Sequence, residues 1–295
     1  MTYTPTDQTP ADRPPAGWLP SEPPPPPVPA PPTAQRPRRR ALWLIVAGLS
    51  ALATIATVGV QVVAWAAQRT ATSTWSQTHP ISALQINVDS ADVTVSPGHA
   101  GMASLRSTLT WDTAEPTVTE AWEGDVLVIA EHCSSRSLIP VDDCGAALEL
   151  KVPAAVPVQA TVSSGSVEVD RMTGDVRAHA DSGDLDFTGD SGFVWARVES
   201  GSITADGLVS QHVDLGASSG DVAAAFAAAP ASVVASVSSG SVTLTVPKGT
   251  TYRVTGQSQS GERSIADGLA QESATRTIQA DAASGDVYVG YPDGS

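Results

Sequence analysis

The sequence predicts an all-β fold: a β-solenoid-like stack of short strand repeats, preceded by one transmembrane helix and a disordered N-terminal tail. Three observations support this prediction. A Ser-Gly or Thr-Gly pair recurs through the second half of the chain, an apolar residue follows each glycine at a fixed distance, and a long uncharged apolar segment precedes the repeats. Units this short indicate stacking, because one short strand cannot bury its own apolar face.

The repeat is defined by the spacing of its glycines, which is 9 residues four times and then 19, 20, 21 and 24 residues. The early spacing is half a turn of the stack, and the later spacing is a whole turn of about 18–20 residues. Glycine tolerates the positive φ of a tight corner, and a neighbouring Asp or Ser can cap the turn. The predicted turn positions are Gly165, Gly174, Gly183, Gly192, Gly201, Gly220, Gly240, Gly261 and Gly285.

The position two residues after each glycine is apolar in every unit except that of Gly261, where it is Arg263. Alternation then continues, as in 167–169 (VEV), which is typical of a strand with one buried face. The exposed residues of such strands are expected to form ladders across the stack, and these include Glu168, Arg177, Asp186 and Thr204.

Residues 81–295 are predicted to form one extracytoplasmic β-repeat domain. Its first part, 81–158, is strand-like but less regular, which indicates wider coils with longer loops at the membrane-proximal end. Residues 68–80 are polar and are predicted to be a linker between the membrane and this domain.

Residues 41–67 predict a transmembrane signal-anchor helix, because they contain no charge over 27 residues. About 20 apolar residues suffice to cross the hydrocarbon core. Trp43 and Trp65 lie near the two ends, where indole rings favour the interface. A cleaved signal peptide is the alternative, since 64–66 (AWA) resembles a cleavage site. Its apolar region would however be nearly double the usual length of about 7–15 residues.

The orientation follows from the arginines beside this segment. Four of them (36, 38, 39 and 40) abut its N-terminal end, while only Arg69 lies near the other. The positive-inside rule therefore places residues 1–40 in the cytoplasm and the β domain outside the cell membrane. Residues 1–40 hold 14 of the 23 prolines and few apolar residues, so they are predicted to be disordered. This Pro-rich tail acts as a spacer or docks a partner with an aromatic groove.

The charge of the chain excludes nucleic acid as a partner. From residue 68 onward there are 11 Lys and Arg against 28 Asp and Glu, a net charge of −17. Phosphate contacts require Lys and Arg, so a surface this acidic repels a nucleic-acid backbone.

Two motifs resemble catalytic or metal-binding chemistry. Residues 189–192 (GDSG) match the start of the nucleophile motif of trypsin-like proteases, but the nearest histidines, His179 and His212, have no triad context. The 9-residue period also resembles calcium-binding β-rolls, yet the paired glycines and a full row of carboxylates are missing. In that register Asp175 and Asp184 are acidic, whereas residues 166, 193 and 202 are not. We therefore predict turn-capping residues, with no enzyme activity, no cofactor and no metal; weak Ca²⁺ binding is the alternative.

Two cysteines, Cys133 and Cys144, are separated by 11 residues. An even number of cysteines in an extracytoplasmic domain favours a disulfide, which would contribute about 2–3 kcal/mol. The alternative is a metal site that adds His132 and Asp143, since imidazole, thiolate and carboxylate are all metal ligands.

The chain also resembles a bacterial family, the "putative adhesin" domain of membrane-anchored β-repeat proteins. The resemblance rests on residues 81–88 (ISALQINV), on 148–170 (LELKVPAAVPVQATVSSGSVEVD), and on the repeated SGD and SGS strand starts up to 284–287. It covers roughly residues 81–295 and implies surface adhesion without catalytic residues.

The expected function is therefore that of a non-catalytic, membrane-anchored binding or structural module at the cell surface, with adhesion as one form. Its external protein or glycan ligand is not identified by any motif. The alternative is envelope sensing, in which the β domain reads an external ligand and the cytoplasmic tail relays the signal.

Overall fold

The computed structural model describes Ala47, Ser50 and residues 69–112, 114–133 and 144–292. The chain divides into two compact units, Met1–Thr57 and Val58–Ser295. Ala47 and Ser50 are helical. The predicted tail (1–40) and the rest of the predicted anchor (41–67) lie outside the described residues. Within the described part, no helix has the length and apolar character needed to span a membrane.

The described part of the second unit is all-β, with 21 strands and no helix. The strands are β1 (Arg69–Thr78), β2 (Ala83–Pro97), β3 (Met102–Trp111), β4 (Thr117–Glu123), β5 (Val126–His132), β6 (Cys144–Val152), β7 (Val158–Ser164), β8 (Val167–Asp170), β9 (Val176–Ser182), β10 (Leu185–Thr188), β11 (Val194–Ser200), β12 (Ile203–Leu208), β13 (His212–Ser219), β14 (Val222–Phe226), β15 (Ser232–Ser239), β16 (Val242–Thr245), β17 (Arg253–Thr255), β18 (Ser258–Ser260), β19 (Arg263–Ile265), β20 (Thr277–Ser284) and β21 (Val287–Gly290).

These strands form two faces, which we name sheet A and sheet B. In sheet B the order is β4, β5, β2, β7, β9, β11, β13, β15 and β20, with β17 and β18 together beyond β20. In sheet A the order is β1, β3, β6, β2, β8, β10, β12, β14, β16, β21 and β19. Strand β2 is long enough to enter both sheets.

Each coil gives one strand to sheet B and the next to sheet A, and successive coils pair in parallel. Every apolar residue predicted to start a strand is buried, with exposure of 1% or less: Val167, Val176, Leu185, Val194, Ile203, Val222, Val242 and Val287. These side chains belong to one continuous core. The predicted all-β parallel stack with alternating buried residues is confirmed.

The order of the coils in the stack differs from their order in the chain at both ends. The β2 coil lies between the β5–β6 coil and the β7–β8 coil, although it precedes both in sequence. Likewise the final strands, β20 and β21, lie between the β15–β16 coil and strands β17–β19. Spacing along the sequence does not reveal these insertions, because pairing depends on register and not on chain order.

This insertion explains why the Gly261 unit departs from the repeat. Strand β19 is the outermost strand of sheet A, and Arg263 pairs with Val287 at a position that is buried in the other coils. No described coil covers β19, so Arg263 is exposed to solvent. A charged residue is tolerated there, and it also protects the open sheet edge from pairing with other strands.

The opposite end is closed by antiparallel strands that the repeat does not predict. Strand β1 pairs with β3, and β4 pairs with β5. The rings of Trp75 on β1 and Trp122 on β4 lie 6.4 Å apart, and Trp122 Nε1 donates a hydrogen bond to Gln77. Residues 69–78 are thus a strand, whereas the sequence assigns 68–80 to a linker. Polar residues on both faces of this edge strand concealed it.

The predicted turn glycines lie at two corners of the stack. Gly165, Gly183, Gly201, Gly220, Gly240, Gly285 and Gly261 follow one another at the first corner, where sheet B passes into sheet A, while Gly174 and Gly192 lie at the second. At the first corner a Cβ on each glycine would overlap the carbonyl oxygen of the coil beneath it. Six of these seven residues have positive φ, but Gly174, Gly192 and Gly261 do not. At those three positions glycine is required because the neighbouring backbone leaves no room for a Cβ.

We expect the Gly201→Ala substitution to destabilise the domain by about 3 kcal/mol or more, since it adds a backbone clash to the cost of a positive φ. Gly207→Ala is the matched control, because Gly207 has φ +63° but open space around its Cβ position. It should cost about 1–2 kcal/mol. Thermal unfolding of the two variants measures this difference. Equal losses of stability would show that the contact between coils is not the constraint.

Candidate binding face

The exposed residues of the coils form ladders, but the four residues that the sequence assigns to ladders do not all lie in the same ladder. Glu168, Asp186 and Thr204 are in register on sheet A. Arg177 belongs to sheet B, where it pairs with Trp195. Burial raises the pKa of the Asp186 carboxyl, and the nearby charges of Asp184 and Glu168 act in the same direction. The sheet A ladder therefore holds two neighbouring carboxyl groups flanked by threonines, and Arg177 contributes to a different surface.

That different surface lies on β9, β11 and β13 of sheet B, and we name it the Trp195 patch. Its side chains project from the solvent side of three neighbouring parallel strands. Pairing of Arg177 with Trp195 and of Trp195 with Asp214 gives one row, and pairing of His179 with Arg197 and of Arg197 with Gly216 gives the next. The patch consists of Arg177, His179, Phe193, Trp195, Arg197, Asp214 and Gly216.

Arg197 is fixed at the centre of the patch. Its Nη2 donates to Asp214 Oδ1 at 2.8 Å, and its Nη1 donates to the carbonyl oxygens of Ala196 and Asp214 at 2.9 and 3.1 Å. Its guanidinium lies 5.0 Å from the centroid of the Trp195 ring, within the range of a cation–π interaction. Its aliphatic stem passes over Gly216, where a Cβ would lie 3.0 Å from the arginine Cδ. The small residue at Gly216 therefore makes room for the arginine.

Two further charged groups flank this centre. The Arg177 guanidinium lies 5.5 Å from the Phe193 ring centroid and, among the described residues, forms no ion pair. His179 Nε2 lies 3.1 Å from Asp181 Oδ1. The ligating atoms of His179, Asp181 and Glu199 lie within 4.8 Å of one another, so these groups could share a cation, although Asp181 and Glu199 are exposed.

The patch surrounds an open groove of about 410 Å³, whose lining includes His179, Trp195, Arg197, Glu199 and Gly216. One aromatic ring, an immobilised guanidinium and several hydrogen-bonding groups thus face the same space. Binding sites commonly combine such an aromatic surface with a few positioned polar groups. Sequence reasoning missed this site. The available signal was Trp195 at an outward position between the buried Val194 and Ala196, where the alternation predicts a polar residue.

The protease-like residues 189–192 lie at the second corner, not at this groove. Asp190 is fully buried, and its Oδ1 accepts a hydrogen bond from the Met172 backbone N–H at 2.6 Å. The Ser191 N–H donates to the Met172 carbonyl, which is a contact between coils. In the described part of the chain no hydrogen bond joins Ser191 to a histidine. The motif therefore serves the turn, and its geometry offers no activated nucleophile.

The aspartates that follow the corner glycines also bond across coils. At the first corner the Oδ1 atoms of Asp92, Asp184 and Asp221 accept backbone N–H groups of the next coil at 2.7–3.0 Å. From Asp92 to Asp286 the row alternates between Asp and Ser, so successive carboxylates there are about 9.5 Å apart at the usual strand spacing; only at the end of the stack does Glu262 stand directly beside Asp286. Asp175 lies at the second corner and binds the Phe193 N–H instead. Asp175 and Asp184 thus hold the same position in the 9-residue unit but lie at different corners, as half-turn spacing requires.

These distances disfavour the calcium alternative at the first corner. A Ca²⁺ ion requires oxygen ligands about 2.3–2.6 Å away, so carboxylates two coils apart do not share one ion. The turn-capping role of these aspartates accounts for their positions.

The structure joins Cys133 to Cys144 by a disulfide, with Cα atoms 6.0 Å apart. The imidazole of His132 is paired with the carboxylate of Asp89 and is exposed. Asp143, the other residue of the alternative metal site, lies outside the described residues. Glu131 is buried beside this disulfide.

The fold thus defines an all-β domain of parallel stacked coils with a polar-aromatic patch on one face. The chain belongs to the Toastrack DUF4097 family, whose model matches residues 77–290. The family resemblance inferred from the repeats is confirmed. No curated protein matches the chain significantly.

Solved structures with similar folds have low sequence identity to this chain. A putative cell adhesion protein from Clostridium sporogenes is 9% identical over 75% of this chain and 100% of its own, with a TM-score of 0.32. A putative adhesin from Bacteroides fragilis is 12% identical over 75% and 97%, with a TM-score of 0.40. A putative lipid binding protein from Parabacteroides distasonis is 13% identical over 74% and 96%, with a TM-score of 0.30.

The buried Asp190 makes the stability of the domain depend on pH. Burial raises its pKa from 3.8 to about 7; the Met172 N–H opposes this shift, and the charge of Asp170 adds to it. Between these two pH values the folded state therefore keeps a proton on Asp190, whereas the unfolded state has lost it. Its contribution to stability is complete below pH 3.8 and is lost as pH rises through about 7.

We expect Asp190→Asn to remove this dependence, because the amide is neutral and still accepts the Met172 N–H. Between pH 4 and pH 8 the wild type should lose on the order of 3 kcal/mol more stability than the variant. Denaturant unfolding across this pH range measures the difference, with the exposed Asp267→Asn as control. Parallel pH profiles for wild type and Asp190→Asn would contradict the assignment.

Proposed function

We propose that this chain is a non-catalytic cell-surface binding protein, and that the Trp195 patch recognises an uncharged polysaccharide of the cell envelope or of another cell. The observation that supports the proposal is the half-buried Trp195 ring beside an arginine whose position is fixed by Asp214. A pyranose ring can pack its apolar face on the indole while its hydroxyl groups bond to the polar groups around it. Trp and Arg are also the residues that most often dominate binding energy at interfaces.

Charge supports a neutral ligand over a polyanion. Arg197 is paired with Asp214 and His179 with Asp181, so Arg177 is the one cation of the patch without an acidic partner among the described residues. The chain from residue 68 onward has a net charge of −17, which repels anionic polymers. Adhesion by such a face would use several coils, because an extended chain can lie along the stack.

Membrane attachment is part of the same proposal. The uncharged segment 41–67 and the arginines before it favour a single-pass anchor with a cytoplasmic N-terminus and an external β domain. The Pro-rich tail supports a second candidate function, envelope sensing. A pull-down with residues 1–40 separates the two: a specific cytoplasmic partner favours sensing, and the absence of any tail partner leaves the adhesive function.

The test of the binding function is a screen of the purified full chain, in detergent, against immobilised neutral polysaccharides and isolated cell walls. We expect Trp195→Ala to weaken binding by about 30-fold or more, as for a central aromatic anchor. Arg197→Ala should weaken it by about tenfold, since it leaves Asp214 without its partner.

Tyr288→Ala is the matched control, because Tyr288 is a 37% exposed aromatic residue on sheet A. This variant should bind like the wild type. Binding by Trp195→Ala at wild-type strength would exclude the patch as the site. No binding of the wild type to any neutral polymer would exclude the glycan as ligand.

A further inference from the structure

Glu131 is a buried carboxylate with one unexplained oxygen. The residue is 2% exposed, and burial raises the pKa of its carboxyl. Its Oε2 accepts the backbone N–H groups of Asp89 and Ser90 at 3.1 and 3.0 Å. Its Oε1 has no hydrogen-bond partner in the described part of the chain. A buried carboxyl oxygen left unpaired costs free energy, and such a group in a native structure requires an explanation.

Two sulfur atoms lie close to the Glu131 carboxylate. A carboxylate oxygen of Glu131 and the Sγ atoms of Cys133 and Cys144 all lie within 4.8 Å of one another. Cys133 directly follows β5, and Cys144 begins β6. Glu131 pairs with Val88 of β2 and Cys144 with Trp111 of β3, so strand pairing holds Glu131 and Cys144 independently of the bond between the sulfur atoms.

We propose that Glu131, Cys133 and Cys144 form a Zn²⁺ site when the disulfide is reduced. Zinc takes thiolate sulfur at about 2.3 Å and carboxylate oxygen at about 2.0–2.2 Å in tetrahedral geometry, so two bound sulfurs lie about 3.8 Å apart. Reduction alone separates the sulfurs to about that distance, and the ligating groups therefore need only small movements. The fourth position is left for water.

The chemistry is balanced by a dithiol reductant. Its thiolate attacks one sulfur of the disulfide, and a second thiol then closes the reductant into its own disulfide, so that two electrons pass to the protein. Cys133 and Cys144 become thiols. Zinc displaces their two protons and any proton on Glu131, and the resulting group of two thiolates, one carboxylate and Zn²⁺ carries a net charge of −1. The unpaired Oε1 thereby gains a partner.

The site therefore gives the terminal coil two alternative cross-links, a disulfide when oxidised and a metal when reduced. In both states the end of β5 is joined to the start of β6. This role is independent of ligand binding at the Trp195 patch.

The experiment measures zinc on the purified full chain after reduction with a phosphine, removal of free metal and elemental analysis. We expect about one Zn²⁺ per reduced wild-type chain and less than about 0.1 per oxidised chain. The Cys133→Ser, Cys144→Ser double variant should bind none. Absence of zinc from the reduced wild type would overturn the proposal.

Glu131→Gln tests the carboxylate itself. The amide oxygen still accepts the Asp89 and Ser90 N–H groups but is a poor ligand, so zinc affinity should fall by about tenfold or more. Glu272→Gln, a change at an exposed carboxylate outside both this site and the Trp195 patch, should leave the affinity unchanged. Equal affinity of Glu131→Gln and wild type would show that Glu131 only caps the coil.

A spectroscopic measurement on the wild type covers the case in which Glu131→Gln fails to fold. X-ray absorption at the zinc edge should show two sulfur and two light-atom neighbours in the reduced chain. Four light-atom neighbours would place the metal at exposed carboxylates instead and would reject the site.

Discussion

Stacking of the coils in register is the constraint on which the rest of this structure depends. Each coil donates backbone hydrogen bonds to the next, and at the first corner the carbonyl oxygen of one coil occupies the space where a Cβ of the next would project. Only glycine fits there, and six of the seven corner glycines also require positive φ. The Ser-Gly repeat thus results from one contact between coils. Inside the stack the alternation of Asp and Ser beside it fits the same spacing, because carboxylates in neighbouring coils would repel each other at about 4.8 Å; Asp286 and Glu262 are neighbours only at the open end.

A stack of this kind must also end, and its two ends do so differently. At one end the antiparallel strands β1, β3 and β4 extend the sheets and bring Trp75 against Trp122. At the other end lie three strands of three residues, and two of them carry exposed arginines, Arg253 and Arg263, which discourage pairing with another chain. Strands β20 and β21 lie inside this end and are paired on both sides. Their backbone groups are therefore hydrogen-bonded along both edges.

Sequence patterns predicted the regular part of the fold, which the repeat determines. They did not predict the elements and contacts that fall outside the repeat. Alternation identified the buried residues from Val167 to Val287, since inward and outward positions differ in polarity. It failed for β1, because an edge strand at 69–78 has no buried face to mark it. The 9-residue spacing also predicted half-turns, and Asp175 and Asp184 accordingly lie at different corners. Glu131 and the Trp195 patch were also missed, because their meaning depends on neighbours from other coils.

In this fold the exposed positions can vary while the buried positions stay apolar. The outer surface can therefore carry a binding face without a change in the core. Inward positions on β9, β11 and β13 of sheet B are confined to aliphatic residues, from Ala178 and Ala196 to Leu215. Outward positions vary from Gln159 through Arg177 and Trp195 to Asp214 without changing the backbone register. Substitutions on the outer face therefore alter recognition with little effect on stability. The Trp195 patch occupies coils at the middle of the stack, where paired strands on both sides hold it rigid. A rigid surface loses little conformational freedom on binding, so a few aromatic and polar contacts suffice for recognition.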